Sequence, residues 1–127
     1  MPIVISLPPS TLTDTYEESY TNTSAAAGLN TYDFATVPAG EVWMIYGGAA
    51  WDVNTKITNI EIAIARGGSY YAVCRYAPSA AQDALAILNS FIMVPGDFIR
   101  MYWGGCTLND DIHGRLVGLK FAIDLGI

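Results

Sequence analysis

The sequence predicts an all-β, single-domain antiparallel β-sandwich of about eight to nine strands, of the jelly-roll or a related Greek-key type. Apolar and polar residues alternate in several short segments, most cleanly over 57–65, which is the period of a strand with one buried face. Turn sequences recur at roughly the 8–12-residue spacing of a sandwich. No segment shows a long helical period, and 127 residues suit one domain.

The first 30 residues are predicted to differ from the rest. Residues 2–7 are short, β-branched and followed by two prolines, which suits an edge strand or an extended arm because proline cannot donate to a β-ladder. Residues 11–23 are polar and predict one exposed strand with Tyr16 and Tyr20 on the same face. The chain is thus expected to comprise an arm with an exposed strand (1–30) and a sandwich core (31–127).

The middle of the chain predicts a short strand at 29–34, then a central strand and a hairpin. A Val-Pro-Ala-Gly turn opens the strand 41–51, whose bulk on both faces favours a central, doubly covered position. Gly47-Gly48 inside it indicates a bulge or close packing. After the alternating segment 57–65, an Arg-Gly-Gly-Ser turn leads into a partner strand at 70–76.

The C-terminal third predicts a helical turn or two over 80–88, then a hairpin. The hairpin joins 91–94 to 98–103 through Pro95-Gly96-Asp97, because Pro presets φ, Gly accepts positive φ and Asp bonds its own backbone. The final strand, 113–125, alternates and is expected to be half-buried. One of its faces carries Val117, Leu119, Phe121 and Ile123.

Charge and hydropathy indicate burial against other subunits. Charged residues make up 14% of the chain, against about 25% in typical soluble domains, while mean hydropathy is +0.31. Either the surface is rich in uncharged polar groups, or part of it is covered by neighbours, and a homo-oligomer is favoured. Six scattered basic residues at a net charge of −6 argue against nucleic-acid partners and an anionic membrane surface.

The expected location is the cytoplasm, or a larger assembly that leaves it. No apolar run reaches the ~18–20 residues of a transmembrane helix, and the N-terminal residues lack the basic region of a signal peptide. The two cysteines, Cys74 and Cys106, are fewer than small secreted scaffolds use. Two free, buried thiols are predicted, although a Cys74–Cys106 bridge stays open.

The sequence predicts no catalytic residue, no metal site, no cofactor and no enzymatic activity. The segment 109–113 offers Asp110, Asp111 and His113 as metal ligands. A solvated loop is the preferred interpretation, because zinc takes three or four ligands, the cysteines lack CxxC spacing and the EF-hand pattern is absent. A single histidine would have to serve any catalytic triad, and nothing selects a glycosidase-like carboxylate pair.

Aromatic side chains are the candidate binding residues. Three Trp and eight Tyr would suffice for a sugar-stacking platform on a sandwich face, whereas the alternative interpretation places them in the core and at subunit interfaces. The surface candidates are Trp51, Tyr102 and Trp103.

Two motifs resemble those of small phage and viral structural proteins. Residues 36–43 (TVPAGEVW) are similar to a VPAGxVW strand entry, and residues 94–100 (VPGDFIR) are similar to a later PGDxIR turn. With the strand pair between them and the final alternating strand, residues 36–125 resemble jelly-roll virion accessory proteins of the capsid-decoration, head-fibre or tail-associated type. Tumour-necrosis-factor-like trimer domains look similar.

The resemblance implies a non-enzymatic virion structural protein, a capsid decoration or cement protein that assembles as a symmetric oligomer on the particle surface. A homotrimer is favoured, with the major capsid protein or another virion protein as partner and the virion, assembled in the host cytoplasm, as location. The alternative is a carbohydrate-binding or receptor-binding β-sandwich of a bacteriophage tail or fibre, with a glycan as partner.

Overall fold

The computed structural model describes residues 10–123. They contain no helix, and so none that could cross a membrane. Nine strands make up this part of the chain: β1 (Ser10–Asn22), β2 (Gly28–Asp33), β3 (Glu41–Asp52), β4 (Asn59–Arg66), β5 (Ser69–Tyr76), β6 (Leu85–Ala86), β7 (Phe91–Met93), β8 (Phe98–Cys106) and β9 (Ile112–Ile123). The predicted all-β class is confirmed.

Two antiparallel sheets pack face to face. Sheet A has the order β1-β9-β3, with β6 and β7 both paired to β3, and sheet B has the order β2-β8-β4-β5. The pairs are nested along the chain: β4 with β5, β3 with β6 and β7, β2 with β8, and β1 with β9. Rolling one long antiparallel ribbon into two sheets in this way produces the jelly-roll sandwich that the sequence predicts.

One continuous core lies between the sheets. Strand β8 contributes Ile99, Met101 and Trp103, and β4 contributes Ile60 and Ile62, all fully buried. Side chains of a strand alternate between its faces, so the residues between these face outward.

Strand β1 is part of sheet A rather than a detached element. It pairs with β9 from Ser10 to Asn22. Tyr16 and Tyr20 share one face as predicted, and that face is the inner one. The Tyr16 ring stacks on Trp43 with centroids 4.5 Å apart. Residues 2–7 lie outside the described part of the chain, so the arm, and the division at residue 30, stay predictions.

The predicted β4–β5 hairpin is confirmed. Its loop is Gly67-Gly68, and both glycines have positive φ, +60° and +81°, as the hairpin turns that match strand twist require. The bulge in β3 is confirmed too: its register against β9 shifts between Ile45 and Gly47. A Cβ on Gly48 would lie 2.6 Å from the carbonyl oxygen of Arg115, so only glycine fits there.

The predicted hairpin over 91–103 is wrong. Strand β7 pairs with β3 in sheet A, whereas β8 pairs with β2 and β4 in sheet B, so the turn at 94–97 crosses from one sheet to the other. The Gly96 amide donates to the Val37 carbonyl, and the Val37 amide donates to the Asp97 carbonyl, each at 2.9 Å. Turn residues reverse the chain, but they do not decide which strand it joins.

The predicted helical turns at 80–88 are also absent. Leu85–Ala86 is the short strand β6, and the Ile87 amide donates to the Gly48 carbonyl at 2.9 Å. Leu85 and Ile87 are buried while Ala86 and Leu88 are exposed, which is the period of a strand. Pairing to the edge of β3 overrides the local preference of an alanine-rich segment.

Strands β3 and β9 lie where the sequence predicts them, but each has only one face buried by the described residues, and in β9 this is the face with the smaller side chains. β3 is central in sheet A as predicted, but Tyr46 on it is half exposed, so the described residues cover only one of its faces rather than the two that were predicted. In β9 the buried positions are Ile112, Gly114, Leu116 and Gly118. The bulkier alternate set, which includes Val117, Leu119 and Phe121, therefore faces outward.

A buried carboxylate closes the end of the sandwich where β8 begins. Asp97 is 2% exposed and accepts hydrogen bonds from Arg66 Nη2 at 2.6 Å and from the Val94 amide at 2.9 Å. Burial alone would raise the pKa of Asp97, but the Arg66 guanidinium and the Val94 amide outweigh it, and the pKa is lowered. Asp97 thus ties the turn between the sheets to the end of β4.

Replacing Asp97 with Asn is expected to lower the free energy of unfolding by about 2–3 kcal/mol, because it removes charge-assisted hydrogen bonds from a buried position. Urea unfolding at neutral pH measures this. Glu61→Gln is the matched control, since Glu61 pairs with the mostly exposed Arg75 and should change stability by less than about 1 kcal/mol. Equal effects of the two substitutions on the free energy of unfolding would contradict the stabilising role of the buried Asp97 carboxylate.

The Asp97 contribution should also depend on pH. Because the folded-state pKa lies below the ordinary value of 3.8, the stabilisation is fully present above that value and is lost as pH falls through the lowered pKa. The stability difference between the native protein and Asp97→Asn is expected to be constant from pH ~7 to ~5 and to shrink below pH ~4. Urea unfolding across this range tests it, and a difference that grows in acid would refute it.

Candidate functional site

At the opposite end of β8, three side chains with metal-binding atoms meet inside the protein. Asp52 ends β3, Cys106 ends β8, and Asp110 lies in the loop before β9. They are 2%, 6% and 4% exposed. One carboxylate oxygen from each aspartate and the Cys106 Sγ all lie within 4.8 Å of one another. We call these three residues the carboxylate–thiol cluster.

The loops around the cluster are held by backbone hydrogen bonds. The Ala25 amide donates to the Asp110 carbonyl at 3.1 Å, and the Asn109 amide donates to the Ala25 carbonyl at 2.8 Å. On the other side, the Gln82 amide donates to the Asp52 carbonyl at 2.8 Å. The segments after β1, β3, β5 and β8 therefore converge on this end of the sandwich.

Side-chain hydrogen bonds orient both carboxylates. Asp52 Oδ1 accepts from the amides of Asn54 and Thr55, at 2.9 and 3.0 Å. Asp110 accepts from the Thr55 hydroxyl at 2.9 Å and from the Thr107 amide at 2.8 Å. Asp52 Oδ2 is buried and has no hydrogen-bond partner among the described residues.

The electrostatics of the two carboxylates differ. Burial, followed by the neighbouring Asp110, raises the pKa of Asp52. Burial tends to raise the pKa of Asp110 as well. Its hydrogen bonds with Asp52, Thr107 and Thr55 outweigh the effect of burial, so the pKa of Asp110 is lowered. Burial, then the Asp52 charge, raises the pKa of the Cys106 thiol to about 11.

The segment considered as a metal loop divides between two environments. Asp110 turns inward to the cluster, whereas Asp111 and His113 form a separate pair, with 2.8 Å between Asp111 Oδ1 and His113 Nε2. The His113 ring stacks on Trp51 at 5.1 Å and an interplanar angle of 5°. The sequence pattern therefore singles out Asp110, but it groups Asp110 with its chain neighbours Asp111 and His113, and no local motif includes Asp52 or Cys106.

The three aromatic candidates do not form one surface. Trp103 is fully buried, and its indole N–H donates to the His113 carbonyl at 3.2 Å, so its side chain is not a surface group. Trp51 and Tyr102 are half-buried and lie on the outer faces of sheets A and B respectively, as strand alternation places them. Binding at Trp51 or Tyr102 stays a prediction.

The outer face of sheet A carries an apolar patch. Leu12 of β1 lies opposite Phe121 of β9, which lies opposite Val42 of β3. The next row places Leu119 opposite Met44, and Met44 opposite Ile92 of β7. Leu12 and Ile92 are 56% and 50% exposed. We call these six residues the sheet A patch: Leu12, Val42, Met44, Ile92, Leu119 and Phe121.

A second apolar region lies at the edge of sheet B. Strand β5 pairs only with β4 among the described strands, and Tyr70, Tyr71 and Val73 on it are exposed. A groove of about 450 Å³ runs between 73–76 and 84–89. An edge strand with exposed apolar side chains offers both backbone hydrogen-bonding groups and hydrophobic contact area to another chain.

Comparisons with known proteins yield distant structural likenesses. No family model matches the chain, and no curated protein matches it. One similar solved structure is described as Bacillus endospore appendages, a family of disulfide-linked pili, with 13% identity, a TM-score of 0.46 and coverage of 97% of this chain and 98% of that one. Another is the virus-like particle of the extra small virus of the giant freshwater prawn Macrobrachium rosenbergii, with 11% identity, a TM-score of 0.41 and coverage of 97% and 89%. These TM-scores are too low to carry an argument about function.

The two cysteines are free, as predicted, but only Cys106 is buried and the predicted burial of Cys74 is wrong, so the two thiols should differ strongly in reactivity. Cys106 is buried, and a rise in its pKa from 9.0 to about 11 lowers the thiolate fraction near pH 8 by about 100-fold. Cys74 lies half-buried on the edge strand. Mass spectrometry after brief treatment with a thiol reagent is expected to show one modified site, Cys74, with Cys106 modified only in denaturant. Two rapidly modified sites in the native protein would contradict this, and Cys74→Ser provides the control.

Proposed function

We propose that the chain is a non-enzymatic structural subunit that assembles with copies of itself, as a capsid decoration or cement protein on the surface of a virion. The observation that carries the proposal is the sheet A patch. Six apolar side chains in two adjacent cross-strand rows form a contiguous surface rather than scattered exposed residues, and contiguous apolar patches mark interaction sites.

The arrangement of residues in β9 favours this interpretation. The inward positions include Gly114 and Gly118, while the bulkier Leu119 and Phe121 face outward. A Cβ on Gly118 would lie 2.4 Å from the Met44 carbonyl oxygen, so sheet A needs glycine on its inner side there. A monomer would gain from polar residues on the outer side, whereas a subunit gains from apolar ones that a neighbour buries.

Polar groups bound the patch on one side. Thr15 of β1 continues the row of Leu119, and Glu17, opposite Val117, accepts a hydrogen bond from Arg115 at 2.7 Å. An apolar centre with a polar rim is the usual anatomy of a protein–protein interface. The exposed edge of β5 is a second, separate surface on the other sheet. Two such surfaces suit a subunit with more than one neighbour, whereas an isolated dimer needs only one.

The surface depressions support a role without catalysis. The groove beside β5 is lined by no carboxylate and no histidine, and the depression around Trp51 is lined by Gly48, Ala49, Arg115 and Val117. Nucleophile, base and orienting groups need to converge in a cleft, and these linings do not supply them. The resemblance of residues 36–125 to virion accessory proteins favours a symmetric homotrimer that docks on the major capsid protein or another virion protein.

Charged substitutions in the sheet A patch are expected to dissociate the oligomer. Sedimentation velocity at micromolar concentration should show an oligomer for the native protein and monomers for Ile92→Lys and for Phe121→Lys, because each places a charge in a desolvated contact. Leu29→Lys is the matched control: Leu29 is 62% exposed on β2 of sheet B, and its replacement should leave the oligomer intact.

A native protein that sediments as a monomer would remove the proposal of self-assembly. An oligomer that survives both patch substitutions but dissociates with Tyr71→Lys would move the contact to the edge of sheet B. Thermal unfolding of each variant checks that the fold is retained.

A second candidate function, glycan binding, is favoured by the surroundings of Trp51. Its indole stacks on His113 beside a shallow depression that also contains Arg115. A flat aromatic side chain with an adjacent hydrogen-bond donor suits a sugar ring. Glycan-array binding that is lost in Trp51→Ala and retained in Tyr102→Ala is the expected result for this site, and a blank array for the native protein would eliminate it.

A further inference from the structure

The carboxylate–thiol cluster contains a buried oxygen, Asp52 Oδ2, to which no described residue donates a hydrogen bond. Asp52 is 2% exposed, and its Oδ1 already accepts the amide hydrogens of Asn54 and Thr55. Its Oδ2 is buried without a hydrogen-bond partner among the described residues. Leaving a buried carboxylate oxygen unpaired is costly, and buried polar atoms are nearly always satisfied by protein, water or an ion.

The side chains that meet Asp52 in the cluster are other potential metal ligands, and the Cys106 thiol also donates to the Trp103 carbonyl at 3.6 Å. The Cys106 thiol and the Asp110 carboxylate lie in the same group of atoms, all within 4.8 Å of one another. Both residues are more than nine-tenths buried. Within residues 10–123, the donors directed at the two carboxylates are two backbone amides on Asp52, and one amide and one hydroxyl on Asp110. No Lys or Arg is among these partners to neutralise the pair.

We propose that Asp52, Cys106 and Asp110 bind a divalent cation of the zinc class. Tetrahedral Zn²⁺ with oxygen and sulfur bonds of about 2.0–2.3 Å places its ligand atoms about 3.3–3.8 Å apart. The 4.8 Å limit of the cluster is within reach of that spacing after small side-chain rotations. Three protein ligands leave a fourth position for water.

The ligand types select among cations. Ca²⁺ and Mg²⁺ take oxygen ligands and larger coordination numbers, so neither would use the buried sulfur. A thiolate favours Zn²⁺ and similar softer ions, and coordination deprotonates the thiol outright. Two carboxylates and a thiolate total −3, and a divalent cation reduces this to −1.

The second layer of hydrogen bonds matches what a metal site requires. Ligating carboxylates are normally oriented by donors behind them. The amides of Asn54 and Thr55 hold Asp52, while the Thr55 hydroxyl and the Thr107 amide hold Asp110. Thr55 therefore contacts both carboxylates. An ion here would join the end of β3 to the ends of the loop between β8 and β9, and would stabilise the folded chain by mass action.

Co²⁺ is a suitable probe for the full chain after purification with a chelator. The expected result is one Co²⁺ per chain, with a thiolate-to-cobalt charge-transfer absorption that Zn²⁺ abolishes by competition. Cys106→Ser should remove the charge-transfer band, and Asp52→Asn should weaken Co²⁺ binding by about tenfold or more. Cys74→Ser and Asp111→Asn are matched controls that change the other cysteine and the adjacent aspartate, and both should keep the band.

Several outcomes would overturn the proposal. The first is the absence of Co²⁺ and Zn²⁺ binding to the native chain at millimolar metal, which would leave the cluster with a shared proton only. The second is a charge-transfer band that depends on Cys74 instead of Cys106. If the cluster variants do not fold, X-ray absorption of the zinc-loaded native protein decides: one sulfur among the zinc ligands supports the site, and oxygen and nitrogen ligands alone refute it.

Discussion

Buried carboxylates close both ends of the sandwich, and strand β8 connects the two. Asp97 immediately precedes β8 and Asp110 follows it, so nine residues of strand, about 30 Å of chain, separate two sites where charge lies out of solvent. At each end a carboxylate joins segments that belong to different sheets. The jelly-roll pairing aligns the strands, and these polar contacts help to hold the crossings between the sheets, since no β-ladder joins the two sheets within residues 10–123.

The buried carboxylates at the two ends of the sandwich are stabilised in different ways. Asp97 meets a guanidinium, so its charge is balanced within the chain. Among the described residues, Asp52 and Asp110 have neutral donors and each other as partners, and in the low-dielectric interior the repulsion between two charged carboxylates is costly. The charge of Asp97 is balanced by Arg66, whereas Asp52 and Asp110 would be stabilised by a bound proton or cation. This asymmetry, rather than the presence of two aspartates, distinguishes the carboxylate–thiol cluster.

Local sequence patterns predicted the strands better than the pairing between them. The alternation at 57–65 and the Gly67-Gly68 turn specify β4, β5 and their register, because all of this information lies within a short stretch of chain. Pro95-Gly96-Asp97 specifies a reversal equally well, yet β7 and β8 join different sheets. Their partners, β3 for one and β2 with β4 for the other, lie far away in sequence, and no turn motif encodes that choice.

That Asp52, Cys106 and Asp110 meet in space could not be predicted, for the same reason. Asp52 and Asp110 are brought together by the pairing of β3 with β9 and by loops that converge on Ala25. One local signal existed: in β3, Asp52 has the same parity as the buried Ala50, which predicts that it faces inward. Trp103 likewise shares parity with Met101 in β8. Strand parity thus predicts that Asp52 and Trp103 both face inward, whereas residue type had suggested a surface position for Trp103.

The outward-facing apolar residues of β9 connect the fold to the proposed assembly. The alternation in β9 shows that one face of the strand is bulkier than the other. In a protein that functions as a monomer, the bulkier face would be expected to point into the core. Here the inner face includes glycines at 114 and 118, where Met101, Trp103 and the β3 backbone approach too closely for a side chain. The close approach places the bulky set on the outer face of sheet A. The same packing that brings β3 and β9 together therefore creates the sheet A patch, whose apolar area would be stabilised by a second protein surface in the proposed assembly.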